Sequence, residues 1–318
     1  MLKLRTTLLT LLSLILIASS SLAAQAQDKP KDKKEKKTYN GAPVLWRAPN
    51  DIESRNLLIG SGGDAMKPNL SRVTYIEDKK GGTSTKYRVS DASGNIWIAK
   101  LGKEAQPDTA ANRLIWAAGY EPEIAYFVPR LTIEGKGTFE NVRLEARPKA
   151  VDRIGNWEWA RNPFLGKPEF QGLKIFMALI NNWDLKDDNN EILASRDNPR
   201  GELRYIISDL GGSFGKTGGF FSRTRNKPSD YVKSDFVKAV KGNIIDFNYG
   251  GKNQKLFNDV TVNDARWLAS WLNRLSDEQL KDAFRAANYS PEEVNQLSAA
   301  VRARINALAN ISPGMASN

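Results

Sequence analysis

The sequence predicts an α+β chain, rich in strands in its front half and in helices in its rear half, ending in a small helical bundle. Three observations carry this. Residues 72–101 hold three short extended runs separated by turn-forming clusters with glycine. An apolar stripe at helical spacing, Leu173, Phe176, Met177 and Ile180, lies mid-chain. Three helix-start signals follow after residue 260: Thr261 with Asp264, Ser276 with Gln279, and Ser290-Pro291 with Glu293.

The elements follow in order. Lys3 and Arg5 precede an apolar run from Leu8 to Ala18, and Ala24-Gln25-Ala26 is a cleavage-type site, so residues 1–26 are expected to be a signal peptide. The run is short for a membrane span, and without cysteine a lipoprotein anchor is excluded. A periplasmic or secreted location with no transmembrane span in the mature form is expected. Residues 27–55 are expected to be a charged flexible linker, with six lysines between Asp28 and Lys37.

Arg72, Val73 and Tyr75 open the first strand, Lys86–Val89 is the second, and Ile96–Lys100 is the third. Their turns are Asp78–Thr83 and Asp91–Asn95. A helix starts at Pro107-Asp108-Thr109, aligns Ala111, Leu114, Ile115 and Ala118, and stops at Gly119. Tyr126–Ile133 reads as an edge strand because of Pro129, and Arg143–Lys149 as extended. A helix at Pro168–Asn182 leads into the polar loop Asn182–Asn189. Ile192–Ala194 and Leu203–Ser208 make a second hairpin that ends at Asp209-Leu210-Gly211. Gly211–Asp230, rich in Gly, Ser, Thr and Arg, is expected to be a mobile loop. Trp267, Leu268 and Trp271 give the first of the final helices its apolar face.

Composition narrows the chemistry. The chain has no cysteine and no histidine. That removes disulfides, thiolate catalysis, the Ser-His-Asp triad and the commonest metal ligands. Carboxylates, lysine, amides, hydroxyls and a hard cation remain. The formal charge of +11 falls to +9 without Lys3 and Arg5. A basic exported chain suits nucleotides or anionic envelope polymers, the latter through the lysine-rich linker; nucleic acid is not an expected partner.

Phosphoryl transfer needs few protein parts. A lysine meets the phosphates and an acid holds it. An aspartate takes the proton of the attacking hydroxyl, and an amide with a second aspartate holds Mg²⁺. Trp97-Ile98-Ala99-Lys100 ends the third strand, where protein kinases carry V-A-I-K. Asp108 in the next helix is the expected partner of Lys100, with Glu104 as the alternative. The kinase loop H-R-D-L-x-x-x-N corresponds to residues 182–189, with Asp184 and Asn189 at the same separation of five. The metal-binding D-F-G becomes Asp209-Leu210-Gly211. Each piece is common alone; their order and setting carry the reading. The segment Lys79–Lys86 stands where a phosphate-covering loop belongs, without G-x-G-x-x-G. Gly81, Gly82, Thr83, Ser84 and Lys86 are its candidate phosphate contacts, against an ordinary hairpin turn.

Gly81–Tyr87, Trp97–Lys100 and the helix ending Ala118-Gly119-Tyr120 together resemble HipA-type kinases. Asn181-Asn182-Trp183-Asp184 with Asn189 and Ser208-Asp209 is similar to the catalytic half of HipA-type and CotH-type kinases, the latter found on spore coats and among exported proteins. The resemblance spans roughly residues 72–215. It implies a two-lobed protein-kinase-like fold, with an N-lobe over about 56–150, a C-lobe over about 151–312, and ATP and Mg²⁺ as cofactors. It also implies that Lys100 binds the ATP phosphates, that Asp108 positions it and that Asp184 is the catalytic base. Lys186 would touch the transferring phosphate, and Asn189 and Asp209 would hold Mg²⁺. Two departures stand out: Trp183 replaces the arginine before the catalytic aspartate, and no A-P-E follows Asp209. The acceptor hydroxyl is thus open among protein, lipid and sugar.

Other readings compete. The fold could transfer AMP, or serve as a pseudokinase-type scaffold of the envelope. An unrelated envelope protein would bind anionic polymer and ignore nucleotide.

Overall fold

The computed structural model describes residues 37–81, 84–219 and 221–314. The expected signal peptide, most of the lysine-rich run, Gly82 and Thr83 lie outside the described residues. A compact unit runs from Thr38 onward. Among the described residues no helix is long and apolar enough to cross a membrane.

Strand β1 (Pro43–Val44) opens the unit, and Leu45, Ile52 and Leu57 just beyond it are buried in the rear core. The expectation of a flexible linker as far as residue 55 is corrected here. Three branched apolar side chains give this segment enough burial to offset the entropy of ordering it.

The front lobe is a five-stranded antiparallel sheet. Its strands are β2 (Thr74–Asp78), β3 (Lys86–Ser90), β4 (Ile96–Leu101), β5 (Ala125–Ile133) and β6 (Gly137–Ala146), in the order β2-β3-β4-β6-β5. Proline-bearing β5 is at the edge, as its missing N–H requires. Asp91 locks the β3–β4 turn by accepting from the Ser93 and Asn95 amides at 2.9 Å each and from the Trp97 indole at 3.0 Å. Strand alternation then divides the side chains. Val89, Trp97, Ala99, Val142 and Leu144 enter the front core. On the opposite face Lys86 pairs across from Lys100, Lys100 from Arg143, and Ile98 from Glu145.

Helix α1 (Ala105–Ala117) follows β4, with Glu104 at its N-cap position. It begins two residues before the expected Pro107, because proline fits anywhere in a first turn that lacks N–H partners. Gly119 ends it at φ +94°.

The rear lobe holds β7 (Val151–Gly155), α2 (Pro168–Leu179), β8 (Asn190–Ser195) and β9 (Leu203–Ile207). These strands and β1 make a sheet of order β1-β9-β8-β7, in which β1 is parallel to β9. Helix α2 stops at Leu179, short of the expected Asn182, because Asn181 takes the left-handed conformation at φ +52°. After the turn-rich segment from Gly211 come α3 (Pro228–Val232) and a hairpin of β10 (Val237–Lys241) and β11 (Ile244–Phe247). Helices α4 (Val262–Leu272), α5 (Asp277–Arg285) and α6 (Pro291–Asn310) complete the lobe. Each of these last three opens with a capping box. Phe170, Phe176, Leu268, Phe284 and Leu297 are fully buried among them.

Candidate active site

A cleft of about 440 Å³ brings residues of the two lobes together. The front sheet supplies Lys86, Lys100, Arg143 and Glu145; the rear lobe supplies Asp184, Lys186, Asn189 and Asp209. Gly81 and Ser84 also line it. A comparable cavity of about 410 Å³, walled by Ile245, Phe247, Tyr249 and Phe257, holds none of the expected site residues.

Lys100, only 3% exposed, is the centre of the charge network. Its Nζ lies 2.9 Å from Asp209 Oδ1, 3.0 Å from Glu104 Oε2 and 3.4 Å from Asp108 Oδ2. The alternatives posed by the sequence are therefore both met. Glu104 stands at the N-cap of α1, and Asp108 sits one helical turn further on, fully buried. Burial works against the ammonium, but Asp108 and Asp209 outweigh it and raise its pKa. Arg143 Nη1 is 2.9 Å from Asp108 Oδ2 and 2.9 Å from Glu145 Oε2. Complete burial pushes the Asp108 carboxyl up, while Arg143 and Lys100 pull against it. Asp108 Oδ1 also accepts from the Leu210 amide at 3.4 Å, tying α1 to the segment after Asp209.

The rear half of the site follows α2. Asn182 Oδ1 accepts from the Asp184 amide at 3.2 Å, turning the chain so that Asp184 lines the cleft. Lys186 Nζ is 3.0 Å from Asp184 Oδ2. Asn189 donates its amide N–H to the Asp184 carbonyl at 2.8 Å. Its Oδ1 is left as an acceptor, with no hydrogen bond among the described residues. Asp209 accepts from Lys100 and, at 3.1 Å, from the Gly211 amide, both through Oδ1, so Oδ2 is also left. Burial opposes the Asp209 charge, yet Lys100 holds its pKa below the ordinary carboxylate value. Two open oxygens, one amide and one carboxylate, suit Mg²⁺, which takes few protein ligands and completes its shell with phosphate and water. Among the described residues no cluster of three or more acidic side chains could hold a metal by itself.

At the front loop, Ser84 donates to Glu104 Oε2 at 2.6 Å, so its hydroxyl braces the Lys100 partner. Gly81 is exposed at φ +104°, and Gly82 and Thr83 lie outside the described residues. Lys86 lines the cleft, and burial followed by repulsion from Lys100 lowers its pKa.

Sequence reasoning missed four residues. Arg143 and Glu145 sit on a strand expected only to be extended. Arg225, from the turn-rich segment, pairs with Glu104 and lies 4.7 Å over the Trp183 ring. Lys252 Nζ is 2.7 Å from Asp184 Oδ1, an ion-pair distance without hydrogen-bond aim. Its amide donates to the Trp183 carbonyl at 2.8 Å. A Cβ on Gly251 would stand 2.7 Å from the Trp183 Cα, so only glycine permits this approach. The run Gly250-Gly251-Lys252 was the available signal.

No protein-family model matches the sequence, and no curated protein matches it. Three of the solved structures that resemble it are kinases. The Helicobacter pylori proinflammatory kinase CtkA is 11% identical, with a TM-score of 0.46 over 74% of this chain and 95% of its own. The Rio2 kinase from Chaetomium thermophilum, in an ADP/Mg²⁺-phosphoaspartate complex, is 10% identical, with a TM-score of 0.33 over 76% and 74%. The Golgi casein kinase is 10% identical, with a TM-score of 0.36 over 84% and 79%. Such values are a likeness of outline. The fold is a two-lobed, kinase-like α+β fold by the order of its own elements: a sheet with its lysine strand, a helix bearing the lysine's acid, then a helical lobe with the polar loop.

Proposed function

We propose that the chain is an exported Mg²⁺- and ATP-dependent phosphotransferase of the HipA- and CotH-like kind. It would move a terminal phosphoryl group to a hydroxyl of a protein, lipid or sugar. The observation that carries this is the convergence of Lys100, Asp184, Asn189 and Asp209 in one cleft, although they lie far apart in sequence. A scaffold has no need to gather a buried lysine, a half-buried aspartate and two open metal-ligand oxygens.

The chain's own residues divide the work. Lys100 would meet the donor's phosphates, held in place by Asp108, Glu104 and Arg143. Asp184 would accept the proton of the attacking hydroxyl, with Lys186 beside it near the moving phosphoryl group. Lys252 would fix the other oxygen of Asp184. Asn189 and Asp209 would hold Mg²⁺, which neutralises charge on the phosphate oxygens when bound. The kinase-like domain would comprise residues 56–312, extended by the core segment from residue 43.

The test is label transfer. The full chain is incubated with Mg²⁺ and γ-labelled ATP beside Asp184→Ala and Asp209→Ala. Label on the wild type and on neither variant supports the reading. Label only from α-labelled ATP replaces it with AMP transfer. No transfer, with no thermal stabilisation by Mg²⁺-ATP, refutes catalysis and leaves a binding protein.

A further inference from the structure

A site that selects a nucleotide by its base offers two things: apolar faces for the ring and open backbone groups for its edge. The cleft offers little of either. Among its described lining residues Ile98 is the one apolar side chain. Across from Ile98 in the sheet stands Glu145, and the rear wall presents Asn189, Glu191 and Ser208. The inner wall is backed by a ladder of paired charges, of which Glu123, Arg143 and Glu145 are buried. Glu145 pairs with Arg143 at 2.9 Å and with Arg147, and Arg153 reaches Glu123 at 2.7 Å and also Glu191. A base entering here would have to part ions that were desolvated as pairs, which is costly.

Several backbone groups of the crossing segment between the lobes are also engaged. The amides of Ala146 and Arg147 donate to the Ile124 and Ile96 carbonyls, each at 2.8 Å. Pro148 has no N–H. The Pro148 carbonyl accepts from Val151 at 3.1 Å and the Ala150 carbonyl from Arg196 at 2.7 Å.

Charged groups line it instead: six cations, with Arg143 and Arg147 among them, face six carboxylates, Glu104, Glu145, Asp184, Asp188, Glu191 and Asp209. Lys80, Lys86, Lys100 and Lys186 line the cleft, and Lys80 and Lys86 form no ion pair among the described residues. A second cavity of about 300 Å³ shares Arg147 with the first. Arg88, Lys149, Arg153 and Arg196 line it, with no carboxylate side chain among its lining residues. Cationic side chains thus continue from the cleft into a neighbouring cavity, where Arg88, Arg153 and Arg196 also hold acidic partners outside the lining.

We propose that this cleft selects its donor by the phosphate chain and not by the base, so that inorganic polyphosphate serves beside nucleoside triphosphates. The proposal rests on the phosphotransferase reading above. With tripolyphosphate, the acceptor oxygen bonds to a terminal phosphorus and the bond from that phosphorus to its bridging oxygen breaks. Asp184 takes the hydroxyl proton, and pyrophosphate leaves with the electron pair.

The test titrates the full chain, with Mg²⁺, against ATP, GTP, CTP and tripolyphosphate. It follows binding by calorimetry, and transfer by phosphate incorporated into the chain or an added protein acceptor. The nucleotides should bind within about threefold of one another, tripolyphosphate within about tenfold of ATP, and all should support incorporation. Lys86→Met should weaken every ligand alike, by about tenfold. ATP binding some thirtyfold tighter than GTP and tripolyphosphate, with transfer from ATP alone, overturns base indifference and leaves the kinase reading standing. Binding of none, with no transfer, overturns both.

Discussion

Lys100 and Arg304 are both cations sealed inside the protein, at 3% and 5% exposure, and opposite chemistry seals them. Lys100 is ringed by the carboxylates of Glu104, Asp108 and Asp209, beside an open cavity. Among the described residues Arg304, on α6, meets only neutral acceptors by hydrogen bond. They include the Leu179 carbonyl at 2.8 Å, Asn181 Oδ1 at 2.9 Å and Ser234 Oγ at 2.7 Å. The electrostatics follow. Burial lowers the Lys100 pKa but its acids reverse the sign, whereas for Arg304 burial prevails and the pKa is lowered. Carboxylates at a cavity make a charge available to a ligand. Carbonyls around a planar guanidinium make a clamp, here on the end of α2 where the polar loop begins.

The largest effect should separate the two at once. Lys100→Met should cut phosphoryl transfer by at least about a thousandfold, the scale of losing a preorganised charge on a transferring phosphoryl group. The variant should still unfold cooperatively. Transfer within tenfold of wild type would break the comparison, since Lys100 would then be only another buried ion.

Arg304→Ala should do the reverse. It strands several buried acceptors and removes the contact with Tyr231, where the guanidinium carbon lies 4.1 Å from the ring centre. The expected cost is about 3 kcal/mol, or roughly 10 °C in Tm by calorimetry. Transfer per folded molecule should fall less than tenfold. Arg304→Lys should not restore stability, because one ammonium cannot span the acceptors that the fork reaches. An unchanged Tm would remove Arg304 from its structural role.

A smaller effect tests Asp184. Lys252→Met should lower transfer by about tenfold, since it loosens one oxygen of the proposed base without removing the base. Asp184→Ala should abolish transfer. Equal losses in the two variants would move Lys252 from positioning to a direct part in the chemistry.

Much of the Lys100 side was legible in the sequence, and none of the Arg304 side. The strand ending at Lys100, the carboxylates four and eight residues on, and the Asp184–Asn189 loop are local patterns. Turn residues, strand alternation and helix spacing write them into contiguous sequence. The starts of α4, α5 and α6, and the capping boxes of the last two, were legible for the same reason. Arg304 could not be read, because its partners lie on α2 and near α3, far away in the chain, and a lone arginine on a helix looks like a surface residue. Arg143 and Glu145 were hidden similarly: their alternation with Val142 and Leu144 shows a two-faced strand, but not that its polar face closes a cleft. Segment 43–57 was misread because the charge of its neighbours masked the few apolar side chains that hold it.

The smallest expected effect sharpens the comparison through pH. Lys100 holds the Asp209 pKa below the ordinary 3.8 against burial. A carboxylate with a depressed folded pKa adds stability that is complete above the unfolded value and drains away as the pH falls through the folded one. For Asp209 that loss begins below about pH 4. Glu145, lowered against burial by Arg147, Arg143 and Arg153, acts with the same sign. Asp209→Asn cannot titrate, so its Tm should fall less steeply than wild type between about pH 4 and pH 2, by roughly 3 °C over the interval. Glu145 remains in both proteins, as does Asp108, whose carboxyl is raised by burial and in part by the Asp209 charge, so the difference reports Asp209 together with its effect on Asp108. Among the described residues Arg304 has no carboxylate in ion-pair contact, so Arg304→Ala should lower the whole Tm curve in parallel. If Asp209→Asn keeps the wild-type slope while Arg304→Ala changes it, the two buried cations have been assigned to the wrong chemistries.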